Sequence, residues 1–105
     1  MAIITSHTLN GSNGSHAGGI SVYLKNLNSN EIVFQTSMDS KGRLNKTVSS
    51  ESIDENAKYE LVFKTRNYWE KQDKYKNKDR VVEEVVIRFK MPNKNKKYHF
   101  PIILS

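Results

Sequence analysis

The sequence predicts an all-β fold, a two-sheet antiparallel sandwich with one short helix. Three observations carry that expectation. Apolar residues alternate with polar ones through most segments, the pattern of strands with one face in a core. Clusters of glycine, asparagine and serine separate these segments at short intervals. Only the stretch from Asn67 to Lys74 carries a helix-start signal, with Asn67 as N-cap and Glu70 three residues later. Seven short strands separated by turns bury their apolar faces most simply as two packed sheets.

The first predicted strand runs from Ile3 to Leu9 and is followed by a loop, Asn10 to Ser15, in which Gly11 and Gly14 can take positive φ. Gly19 to Leu24 alternates cleanly, with Ile20, Val22 and Leu24 on one face. Asn26 to Asn30 reads as a turn and Ile32 to Thr36 as the third strand. Asp39-Ser40-Lys41-Gly42 is a tight turn, after which Arg43-Leu44 opens a short strand. Ser49 to Lys58 is polar and irregular. Tyr59 to Thr65 is a strong strand, with Tyr59, Leu61 and Phe63 on one face. Beyond the helix, Val81 to Phe89 is the longest β-branched run, and Met91-Pro92-Asn93 ends it. Tyr98 to Leu104 is the last strand. The lysine- and asparagine-rich runs at 74–78 and 93–97 read as loops.

A chain of 105 residues is expected to form one domain, 1–105, with enough buried surface for a core of its own. There is no cysteine, which excludes a disulfide framework and thiolate chemistry. The opening Met1-Ala2-Ile3-Ile4-Thr5 lacks the basic region and long apolar stretch of a secretory signal. No apolar run approaches the ~20 residues of a membrane span. The expectation is a cytoplasmic protein without a membrane partner. A net charge of +6 and a pI near 9.6 suit anionic partners in general. The arginine, aromatic and glycine pattern of an RNA-binding sheet is missing, so nucleic acid is not the expected partner.

Three segments hold the candidate chemistry: Ser6-His7-Thr8-Leu9-Asn10, Asp39-Ser40-Lys41-Gly42-Arg43 and Tyr98-His99-Phe100-Pro101. Taken singly, a histidine on a strand is most often structural or solvated, and an arginine after a turn is most often a solvated charge. Facing changes the reading. Tyr98, Phe100, Ile102 and Leu104 form an apolar set, which turns Lys97, His99, Pro101, Ile103 and Ser105 to the other face. His7 shares its face with Thr5 and Leu9. Two imidazoles and a guanidinium brought together would suit water activation beside a developing oxyanion. His16, in the glycine-rich loop, reads as solvated. The three histidines match no zinc spacing and no acidic residue adjoins His7 or His99 in sequence, so no metal is expected.

In order and spacing these segments resemble the transthyretin-like family, and within it the 5-hydroxyisourate hydrolases. Ser6-His7-Thr8-Leu9-Asn10 is similar to the family's first strand. Asp39-Ser40-Lys41-Gly42-Arg43 resembles its Asp-x-x-Gly-Arg turn, and Phe63-Lys64-Thr65-Arg66-Asn67-Tyr68-Trp69 its helix entry. Tyr98 to Ser105 resembles its Tyr-His-x-Pro strand. The resemblance implies a sandwich of eight strands and a short helix, assembled as a homotetramer with sites in a central channel. It also implies that His7, Arg43 and His99 are the catalytic positions, on strands of the channel-facing sheet. Three departures stand out. Lys97 occupies a position where hydrolases usually carry a histidine and transthyretins a basic residue. The family's final strand, ending Tyr-Arg-Gly-Ser, is expected to be missing after Ser105. Pro is commoner where this chain has His16.

The activity implied is hydrolysis of 5-hydroxyisourate, the opening of a cyclic amide in urate breakdown, with no metal or organic cofactor. His7 would be the general base, Arg43 would hold the substrate and stabilise the oxyanion, and His99 would orient water or substrate. Lys97 would contact the substrate and supply charge, its reference pKa of about 10.4 making it a poor base. The alternative is a non-catalytic member of the same fold that binds a small anionic ligand or a partner.

Overall fold

The computed structural model describes residues 1–72 and 81–104. Among them are seven strands: β1 (Ala2–Asn10), β2 (Ser21–Asn26), β3 (Glu31–Ser37), β4 (Arg43–Val48), β5 (Tyr59–Lys64), β6 (Val85–Phe89) and β7 (Lys97–Leu104). One helix, α1 (Thr65–Gln72), follows β5 directly, and a single 3-10 turn spans Ser50–Ser52. The strands form two sheets, β4-β1-β7 and β3-β2-β5-β6. All neighbours are antiparallel except β1 and β7, which run parallel. This is the predicted two-sheet sandwich with one short helix.

Alternation places the core. On β1, Ala2, Ile4, Ser6, Thr8 and Asn10 point inward and are buried. Leu44 and Val48 of β4 and Leu104 of β7 join them. Val22, Leu24, Tyr59, Leu61 and Phe63 face them from the other sheet. Phe89 of β6 meets Phe100 of β7 with ring centroids 4.6 Å apart, which closes the sandwich at its β6–β7 side. Asn10 Nδ2 donates to Tyr68 Oη at 3.0 Å and ties the end of β1 to α1.

Most strand ends differ from the predicted ones by one or two residues, and three shifts matter for the site or have a clear cause. The helix begins at Thr65 rather than Asn67, because β5 passes into it without a loop. Glu70 consequently pairs with Arg66 one turn earlier, at 3.3 Å, instead of closing a capping box on Asn67. The β-branched run from Val81 yields a strand only from Val85. Its partner β5 is used up at Phe63↔Val85, and Val81 and Val82 remain exposed. Lys97, predicted in a loop, is the first residue of β7. The predicted loop at 74–78 and the predicted helix end at Lys74 lie outside the described residues. No helix among the described residues is long and apolar enough to cross a membrane.

Candidate functional site

The three-stranded sheet has one face in the core and one face outward, and the outward face gathers the candidate residues. In register, His7 of β1 stands opposite Arg43 of β4 and beside Pro101 of β7. Thr5, two residues back on the same face, stands opposite Asn45 and beside His99. Ile3 is beside Lys97 and Leu9 beside Ile103. One surface therefore carries His7, Arg43, His99 and Lys97 together, with β1 in the middle.

Arg43 is delivered by the turn before β4. Asp39 Oδ1 accepts the backbone N–H of Lys41 at 2.9 Å and of Arg43 at 2.8 Å. These donors, together with the Lys41 and Arg43 charges, hold the Asp39 carboxyl below its usual pKa against a smaller effect of desolvation. Gly42 adopts φ +70°, and a Cβ there would run into the carbonyl oxygen of Thr8. Thr8 N–H donates to the Gly42 carbonyl at 2.8 Å, which locks the turn to β1 beside His7. The Arg43 guanidinium has no ion pair or hydrogen bond among the described residues and is exposed.

His99 is exposed on β7, with Nδ1 2.8 Å from Thr5 Oγ1. That contact leaves Nε2 for a substrate or water. His7 is half-buried, and its pKa lies below the ordinary value of 6.5. Desolvation is the largest cause, followed by the Arg43 charge and then His16. A hydrogen bond to the Lys41 backbone pulls the other way, and His99 adds a small further lowering. The ring is thus a neutral base at neutral pH.

Reading His16 as a solvated loop residue misses its main contact. It is exposed, yet its Nδ1 lies 3.0 Å from His7 Nε2, with ring centroids 5.1 Å apart. The signal is topological: Leu9 and His16 form an antiparallel bridge across the tight loop between them, which only knowledge of that loop's hairpin shape could supply. Of the two glycines in that loop able to take positive φ, Gly14 does so.

Among the described residues no cluster of three or more His, Cys, Asp or Glu side chains could hold a metal ion. A cleft of about 370 Å³ lies elsewhere, lined by Lys64, Arg66, Asn67, Glu83 and Glu84. Its Arg66 pairs with Glu83 at 3.2 Å and with Glu70 at 3.3 Å.

The comparison that decides the family covers nearly the whole chain: residues 4–105 match the model of the HIUase/Transthyretin family. The chain belongs to that family. Its fold is similar to that of Klebsiella pneumoniae 5-hydroxyisourate hydrolase, with a TM-score of 0.78 at 21% identity, over 99% of this chain and 90% of that one. It is also similar to (S)-allantoin synthase, with a TM-score of 0.84 at 20% identity, over 99% of this chain. There the chain spans 40% of the synthase's length. A search of curated proteins finds no match. At these identities the likeness to the solved structures is one of fold.

Proposed function

We propose that this member of the HIUase/Transthyretin family is a hydrolase that opens the cyclic amide of 5-hydroxyisourate in purine breakdown. The observation that carries the reading is the gathering of His7, Arg43 and His99 on the outward face of the β4-β1-β7 sheet. The family and a hydrolase neighbour of the same fold support it.

In this reading a water attacks the ring carbonyl. His7, neutral because burial and Arg43 disfavour its charge, supplies the basic site for the water's proton, a contribution of ~10²–10⁴-fold. Arg43, whose guanidinium is free to form a planar fork of donors, binds the carbonyl oxygen as negative charge develops. Such stabilisation is worth about 3 kcal/mol. His99, steadied at Nδ1 by Thr5, presents Nε2 to the substrate. Lys97 adds positive charge two residues along the same face. The decisive assay follows the decay of freshly generated 5-hydroxyisourate. The protein should accelerate it, and His7→Ala should bring the rate down to that of buffer; a wild-type rate equal to buffer would sink the proposal.

Lys97 also favours a second reading. A basic, exposed face with a lysine beside His99 could hold an anionic small ligand without turning it over. Calorimetry with urate as an inert analogue separates the two: tight binding with no hydrolysis of 5-hydroxyisourate selects this reading.

A further inference from the structure

The loop before His16 folds back onto β1 and is pinned on both sides. Ala17 N–H donates to the Thr8 carbonyl at 2.9 Å, and Thr8 Oγ1 donates to the Ala17 carbonyl at 2.6 Å. Ahead of it, Asn10 N–H donates to the Ser15 carbonyl at 2.8 Å. Residues opposed in an antiparallel bridge share a face, so His16 stands on the face of Leu9 and hence of His7. The 3.0 Å contact between the rings follows from backbone placement rather than from a chance rotamer.

Two imidazole nitrogens at that distance share one proton, and one ring must donate. The other nitrogen of His7 decides which. The Lys41 backbone favours the charged form of His7. An acceptor has that effect and a donor does not, and with Nε2 against His16 this favours a proton on Nδ1. A neutral His7 protonated at Nδ1 has only a lone pair at Nε2. In that tautomer His16 donates from Nδ1, which leaves its own Nε2 as an acceptor on an exposed ring.

We propose that His16 and His7 form a two-imidazole proton relay, in which His16 Nε2 receives the proton of the attacking water and His16 Nδ1 hands its proton to His7 Nε2. The proposal rests on the hydrolase reading and assigns the route of its proton. As the water O–H bond breaks, the oxygen bonds to the carbonyl carbon and the proton's charge comes to rest on His7. When the ring C–N bond breaks, the relay runs backward and the proton goes to the leaving nitrogen. The groups that act on His7 are Arg43 from β4, His99 from β7 and the Lys41 backbone from the turn. With Arg43 and His99 both disfavouring charge on His7, that ring rests neutral and its proton is readily returned.

Nitrogen-15 NMR of the histidine rings, with kinetics on 5-hydroxyisourate, tests this in wild type, His16→Ala and His16→Gln. Both rings should be protonated at Nδ1 at pH 8. In His16→Ala the His7 titration should move up toward about 6.5. Its kcat should fall about tenfold or more with KM within about twofold, and added imidazole should restore part of the rate. Glutamine can donate to His7 Nε2 but cannot pass a proton on, so His16→Gln should keep the His7 tautomer and lose the rate. A glutamine variant at full rate, or a His7 titration unmoved by His16→Ala, would overturn the relay. A wild type that leaves the substrate untouched overturns the hydrolase reading instead, while the ring tautomers still decide the pair.

Discussion

At the scale of single residues, the chemistry turns on how neighbours set the state of His7. Burial and Arg43 both disfavour the imidazolium, so the folded pKa lies below 6.5. The base is then free at lower pH than an unperturbed histidine would be, and the acid limb of kcat/KM should have its midpoint below about 6.5. Arg43→Gln removes one lowering influence, so the limb should move upward in pH in addition to the lost rate. A pH–rate profile of both proteins checks this; a limb that moves downward contradicts it. The same sign applies to folding. The unfolded ring takes its proton near 6.5 and the folded ring only below that, so His7 costs stability as pH falls through this window. Thr5 offers a cleaner probe of His99. Thr5→Val keeps the shape and removes the 2.8 Å bond to Nδ1. A hydrogen bond of this kind is worth about 0.5–1.5 kcal/mol, so kcat should fall about two- to tenfold with little change in melting temperature. An unchanged kcat would show that His99 needs no such steadying.

At the scale of elements, the Asp39–Arg43 turn does most to build the site. Gly42→Ala places a methyl on the Thr8 carbonyl and forces an L-residue into positive φ, so it should cost about 1–3 kcal/mol in urea unfolding. It should also lower activity by moving Arg43 relative to His7; a variant as stable and active as wild type would refute the close approach. Alternation made much of this legible beforehand. The apolar set Tyr98, Phe100, Ile102 and Leu104 turns His99 outward on β7, and the Gly-Arg turn leads into β4. What the sequence hid depended on partners distant along the chain. Val81 to Glu84 has the composition of a strand but no strand to pair with once β5 becomes a helix. Asn67 has the chemistry of a cap but lies inside a helix started by the strand before it. His16 sits in a polar loop whose fold-back onto β1 no local pattern announces.

At the scale of the whole molecule, the two faces of the β4-β1-β7 sheet do different work. The inner face carries the core, where Phe100 meets Phe89 across the sandwich. The outer face bears the candidate site and is open in a single chain, with Arg43, His99 and Lys97 all exposed and Ile103 at 71%. An open face is a poor place to stabilise an oxyanion, because bulk water screens the Arg43 charge that a drier site would strengthen. The hydrolase reading therefore carries a requirement: a second copy of the chain should cover this face, as in the homotetramer that the family resemblance implies. Ile103, apolar and beside Leu9 at the edge of the site, is the residue with which to test it. In a lone chain, Ile103→Lys changes only a solvated position and should alter stability by no more than about 0.5 kcal/mol. In an assembly it buries a charge without a partner. Sedimentation should then show wild type at about four times the 12.1 kDa of one chain and the variant at about half that mass or less, with hydrolysis reduced at least tenfold and the circular dichroism spectrum retained. A wild type that sediments as one chain and still hydrolyses the substrate would mean that the outer face works uncovered, and that Arg43 acts through water.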